Sequence, residues 1–191
     1  MKKYTKCDII SDLIDLGIKK KDTLFVTADL MKTNYLGSTK TQTLRDWVDI
    51  FKEVLSEEGT FMTVSYTKSY PLFAFDKKYP FSQKTKTSSG SFSKALLEDS
   101  SSFRSKHPTN SYVAIGHNAK YLLEDHDENG LCYDPPGKII DLNGKNLMLG
   151  TIDNKNAPMV FHYVQQILGI TKKNLLSGLT GCHYIKDDNE L

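Results

Sequence analysis

Three cysteines in 191 residues leave little room for thiol chemistry. Cys7, Cys132 and Cys182 are far apart and form no C-x-x-C pair, which argues against both a zinc site and a disulfide framework. Long hydrophobic runs are missing too. No stretch approaches the roughly 20 apolar residues that span a bilayer, and the opening MKKYTKCDIISDL has charges but no apolar core of a secretion signal. Charge of one sign is also lacking. With 25 Lys and Arg against 23 Asp and Glu, the net charge of +2 does not describe a general nucleic-acid or membrane-surface binder, so any anion site is local. Neither G-x-x-x-x-G-K-[ST] nor G-x-G-x-x-G occurs, which sets aside the common nucleotide loops. The expectation is a reduced, cytoplasmic protein without a metal, and 191 residues suit a single domain over 1–191.

What is present is enough for a core. Hydrophobic residues make up 39% of the chain, with ten Tyr and nine Phe. DIISDLIDLG sets Ile9, Ile10, Leu13 and Ile14 at helical spacing with Gly17 as the stop. A strand follows over Thr23–Val26. TLRDWVDIFKEVLSEEG is the clearest helix, with a stripe of Leu44, Trp47, Val48, Phe51, Val54 and Leu55. Thr43 and Asp46 resemble its capping box, and Gly59 its end. TFMTVSYT, SYVAIG and GKNLMLG read as further strands, SFSKALLED and NAKYLLED as short helices. Residues 68–91 lack periodicity and read as a long loop. APMVFHYVQQILG reads as a helix with Pro158 in its first turn and Gly169 at its end. Short strands alternating with helices give an α/β class.

The chemistry-bearing residues cluster in FRSKHP. Arg104 and Lys106 suit a phosphate, Ser105 offers a hydroxyl, and Pro108 biases His107 toward an extended backbone. The alternative is a basic surface turn. His162 falls opposite the apolar side formed by Val160, Tyr163, Val164, Ile167 and Leu168, with Gln165 and Gln166 beside it. It is either a solvated histidine or a general base. His126 in EDHDENG reads as part of an exposed polar loop, and Cys132 as structural. Asp29 follows the first strand, where α/β proteins bind ligands and where helices also start.

Taken in order, several stretches resemble the aminoglycoside 3-N-acetyltransferase family. LGIKKKDTLFV is similar to the family's opening, VLSEEGTFMTVSYT to its next helix end and strand, and GKIIDLNGKNLMLG to its Gly-Lys stretches. SSGSFSKALLEDSSSFRSKHPTNSYVAIG matches best, through Arg104, Ser105, His107, Pro108, Ser111, Ala114, Ile115 and Gly116. The resemblance implies a central mixed sheet with helices on both faces, distinct from the GNAT fold, and an acetyl-CoA-dependent N-acetyltransferase. The acceptor would be an amine of an aminoglycoside or amino-sugar-like small molecule. The loop after the first strand (Thr27, Ala28 and Asp29) and the loop of Arg104, Ser105, His107 and Pro108 would bind CoA.

The family's Thr-x-x-His-x-x-Glu pattern aligns with Met159, His162 and Gln165, which makes His162 the expected base and Gln165 its partner. Two of the three positions depart, as does the loop at 27–29, where the family commonly has His-Ser-Ser. These departures support an alternative, a catalytically inactive or incomplete relative that binds CoA or a sugar, or that needs a partner chain. The chain resembles a family member short at its C-terminus, whose exposed strand edges a homodimer would cover.

Overall fold

The computed structural model describes residues 4–68, 81–150 and 160–170, together with the backbone of 70–71, 180–181, 185–186 and 189–190. Helix α1 (Lys6–Asp15) begins at Thr5, whose hydroxyl and Asp8 cap each other's backbone N–H groups. It leads into strand β1 (Thr23–Ala28). Helix α2 (Lys40–Leu55) buries Trp47, Val48, Phe51, Val54 and Leu55, the stripe its periodicity predicts. Its cap differs from expectation. Thr39 caps the helix by accepting from Gln42 N, while Thr43 lies a turn inside, donating to Thr39 O and accepting from Gly37 N. The helix ends at Ser56, which takes a positive φ of 62°, rather than at Gly59.

Strands β2 (Thr60–Val64), β3 (Tyr70–Pro71) and β4 (Phe103–Arg104) follow, with helix α3 (Ser91–Leu97) between the last two. Then come β5 (Tyr112–Gly116), α4 (Ala119–Leu123), α5 (Asp134–Asp141), β6 (Lys145–Leu149) and α6 (Val160–Ile167). The sheet order is β4-β5-β2-β1-β6, parallel for β2-β1-β6 and antiparallel where β5 joins β2 and β4 joins β5. The short β7 (Thr180–Gly181) pairs with β3, and β8 (Ile185–Lys186) with β9 (Asn189–Glu190).

The five-stranded sheet is covered on both faces, as expected. Leu24, Val26, Phe61, Val113 and Ile115 join Leu13, Trp47, Phe51 and Leu96 of α1, α2 and α3 in one core. Phe25, Met62, Tyr112 and Ala114 join Leu122, Leu123 and Ile139 of α4 and α5 in the other. Alternation along β1 divides its side chains between the two faces.

Helix α6 corrects the sequence reading. Val160 packs against the second core, and Tyr163 lies on Gly137 so closely that a Cβ there would meet the ring at 2.5 Å. Val164, Ile167 and Leu168 are exposed, whereas His162, Gln165 and Gln166 are half-buried. The helix therefore docks through Val160, Tyr163 and the polar residues beside them, and residues at the start of α5 offer hydrogen-bond partners there. Gly169, at φ 67°, ends it as expected. Pro158 and Met159 lie outside the described residues.

Candidate active site

Register places the site. β1, β2 and β6 run parallel, and Tyr112 pairs with Val64 while Arg104 pairs with Val113. The chain therefore leaves β1, β2, β4 and β6 at one rim of the sheet, the C-terminal end of its parallel strands, where open α/β sheets bind ligands. Thr27, Ala28 and Asp29 lie on this rim, half-buried. Asp29 N donates to Leu149 O, and the Asp29 carboxylate lies 3.5 Å from Lys32 Nζ, which offsets its charge. Gly150, at φ 66°, lets β6 pass Asp29: a Cβ there would come within 2.3 Å of Asp29 O. The Thr27 hydroxyl has no partner among the described residues. The turn at 27–29 and the loop at 104–108 are three strands apart, about 14 Å at 4.8 Å per strand. They occupy two halves of one rim.

The 104–108 loop is largely turned inward. Arg104 is buried, and four of its five N–H hydrogens are engaged. Nε donates to Ser111 Oγ at 3.2 Å, one terminal nitrogen donates to Gln83 O at 3.1 Å and to Thr85 O, and the other donates to Ser65 O at 2.9 Å. Its cation also sits over the Phe81 ring at 5.1 Å. Burial pulls the guanidinium down to about 10. Pro108 is buried, and its carbonyl accepts from Thr67 Oγ1. Lys106 is the exposed cation of the loop, with no ion-pair partner among the described residues.

Ser105 and His107 meet His126, which the sequence reading put in an exposed loop and which is in fact 2% exposed. Polar spelling around His126 misled that reading. Its backbone carbonyl accepts from Lys106 N and His107 N, and its ring stacks on His107 at 4.7 Å. The tautomer follows from the partners. Leu131 O can only accept, so His126 Nε2 donates to it at 3.1 Å, and Nδ1 accepts from Ser105 Oγ at 3.0 Å. Ser105 Oγ in turn accepts from Tyr112 N. Burial, reinforced by the neighbouring His107, pushes His126 down to about 3 and keeps it neutral. His107 Nδ1 accepts from Asn110 N, and its Nε2 lies 4.0 Å from the Cys132 thiol. Burial lowers His107 and raises Cys132. The Cys132 side chain is thus a neutral thiol.

His162 stands apart from these two histidines on α6. Its Nδ1 lies 3.0 Å from Gln165 Oε1, an acceptor, so Nδ1 carries the hydrogen and Nε2 the lone pair. Nε2 has no partner among the described residues. The ring stacks on Tyr133 at 5.2 Å and 23°. Tyr133 is a site neighbour that sequence reasoning missed. The only signal for it was an aromatic ahead of the Pro-Pro helix start in CYDPPG. No group of three or more His, Cys, Asp or Glu residues is arranged for a metal among the described residues. None of their helices is long and apolar enough to cross a membrane.

A sequence model of the family described as aminoglycoside 3-N-acetyltransferase matches residues 25–190. The chain belongs to the aminoglycoside 3-N-acetyltransferase family. A search of curated proteins brings no match. Among solved structures, this family member is similar to AAC-IIIb in binary complex with CoASH, with 20% identity and a TM-score of 0.64, over 76% of this chain and 59% of that one. It is similar to AAC-VIa bound to sisomicin, with 24% identity and a TM-score of 0.72, over 86% and 65%. It is also similar to AAC(3)-IIb, with 26% identity and a TM-score of 0.69, over 85% and 64%. The chain thus spans less than two thirds of each of these three proteins.

Proposed function

We propose that the chain is an acetyl-CoA-dependent N-acetyltransferase acting on an amine of an aminoglycoside or amino-sugar-like molecule, with His162 as general base. The observation that carries this is the state of His162. Gln165 fixes the tautomer that leaves the Nε2 lone pair uncommitted on a half-buried ring. Family membership supplies the reaction class, and the similar AAC-IIIb and AAC-VIa structures hold CoASH and sisomicin.

In this reading the acceptor nitrogen attacks the thioester carbonyl and His162 Nε2 takes the proton that the nitrogen sheds. The carbon–sulfur bond breaks, and the departing thiolate collects a proton to leave as CoASH. A thioester is reactive enough that proximity and proton removal suffice. Gln165 orients the imidazole but offers no charge to the imidazolium.

In this reading CoA meets only some of the groups that the sequence offers it. Arg104, Ser105, His107 and Pro108 support the loop from inside. Lys106 and the Thr27 hydroxyl are the groups available to an anionic and polar ligand, and Lys32 offsets Asp29. The neutral Gln165 favours one second reading, a relative that binds CoA without transferring acetyl groups. Free-thiol release from acetyl-CoA, measured with sisomicin and with glucosamine as acceptors, decides between them. Turnover that His162→Ala abolishes is expected. A thermal upshift with acetyl-CoA but no thiol release with any amine would establish the second reading.

A further inference from the structure

The segment Leu131–Asp134 joins the buried histidine cluster to the helix that bears His162, and its contacts are unusually complete. Leu131 O accepts from His126 Nε2, and Leu131 N donates to Asp134 Oδ2 at 3.0 Å. Cys132 O accepts from Tyr112 Oη at 3.2 Å, and Tyr66 Oη completes the chain by donating to Tyr112 Oη at 3.3 Å. Both phenols are pushed up by burial, Tyr66 to about 12, so both stay protonated donors. One side of the segment is therefore pinned to the sheet through Tyr112.

The other side holds α6. Tyr133 N donates to Gln166 Oε1 at 3.1 Å, and Gln166 Nε2 donates to Asp134 Oδ1 at 3.0 Å. The side-chain amide thus spends its acceptor and one donor on two consecutive residues, which fixes the rotation of α6 about its axis. That rotation lays the His162 ring on the Tyr133 ring. It also leaves Val164, Ile167 and Leu168 outward, against their hydrophobic preference, so these polar contacts help to decide the docking.

We propose that Tyr133 and Gln166 are positioning residues for His162: Tyr133 as the flat platform under its ring, Gln166 as the clamp that sets the helix. This rests on the reading of His162 as the base. The platform needs an aromatic face and not the phenol hydroxyl. The clamp needs both an acceptor and a donor, which Gln supplies and Glu and Leu do not.

The test uses the full chain and reads His162 directly. Its ring-proton resonances, assigned by their loss in His162→Gln, should be displaced upfield by the Tyr133 ring current. Tyr133→Phe should keep that displacement, and Tyr133→Leu and Gln166→Leu should both abolish it. With acetyl-CoA and sisomicin, the two Leu variants should lower kcat at least about tenfold while KM for acetyl-CoA stays within about twofold, and Tyr133→Phe should stay near wild type. An unmoved His162 resonance in Leu variants that melt as the wild type does would overturn the proposal. So would a kcat that Tyr133→Phe fails to preserve. If Leu at 133 unfolds the chain, Gln166→Leu and Gln166→Glu decide it, since neither removes a core side chain. A wild-type chain without turnover would count against the proposed reaction alone, because the resonance measurement needs no turnover.

Discussion

Arg104 offers the sharpest test of how the loop at 104–108 is used. A phosphate ligand and a buried clamp answer differently to lysine. Lysine preserves a phosphate contact in part, as a point charge. At the clamp it fails, because one ammonium cannot reach Ser111 Oγ, Ser65 O, Gln83 O and Thr85 O, which the guanidinium spans. Four charge-assisted hydrogen bonds are at stake, against a desolvation cost already visible in the lowered Arg104. Breaking such a network while leaving the charge buried costs about 3–5 kcal/mol. For a chain of 191 residues this corresponds to a fall in Tm of roughly 10 °C. Arg104→Lys should therefore melt roughly 10 °C early by calorimetry, while its folded fraction binds CoA within about threefold of wild type. Suppose instead that Arg104→Lys melts within about 2 °C of wild type and loses CoA affinity about tenfold. The guanidinium would then be a phosphate ligand and the clamp reading would be wrong.

Three further outcomes follow from the same geometry. His126 is held near 3 in the fold against about 6.5 in an unfolded chain, so the unfolded state binds the extra proton. Its contribution is intact above pH 6.5 and is lost on acidification toward 3, by about 2 kcal/mol between pH 7 and pH 5. Denaturant melts at the two pH values should show this loss, and His126→Asn should flatten it. Gln165→Glu places a carboxylate at the 3.0 Å position of Oε1, worth about 1.4 kcal/mol to an imidazolium even at the dielectric constant of water. In acetyl-transfer assays its kcat should rise about tenfold, and an unchanged kcat would remove His162 protonation from the slow step. Lys106→Gln, at an exposed position, should weaken CoA about fivefold, with a shallower salt dependence and an unchanged Tm.

Much of the fold was legible because its helices and strands follow burial. The stripe on α2 reads correctly since Trp47, Phe51 and Leu55 all face one core. Its cap was legible too, had the pattern been sought four residues earlier. Thr39 and Gln42 have the spacing of a capping box, although the Gln42 side chain turns to Asp46. Helix α5 was missed because DPPG reads as a turn. In fact two prolines at the first helical positions cost nothing, since those N–H groups have no intrahelical partner anyway. Periodicity divided α6 into two faces but could not say that it packs across the boundary between them, through Val160, Tyr163 and the polar residues. That packing rests in part on Gln166 meeting Tyr133 and Asp134, 33 and 32 residues earlier in the chain.

The polar density of FRSKHPTNS has its own physical cause. β4 is two residues long, so the sheet ladder ends while the chain is still buried. Backbone groups there must find partners elsewhere, because an unpaired buried N–H or C=O costs as much as a lost hydrogen bond. Side chains replace the ladder. Arg104 serves the carbonyls of Ser65, Gln83 and Thr85, Ser105 serves Tyr112 N, Ser111 serves Ser65 O, and His107 serves Asn110 N. Such a network rigidifies the rim only if every member is satisfied. A sequence showing Arg, Ser, Lys and His together therefore carries two messages at once. The inward residues on either side of Lys106 build the rim, and the outward Lys106 is the one left open to a ligand. Sequence spacing alone does not separate the two, whereas the inward geometry of Arg104 and the exposure of Lys106 do.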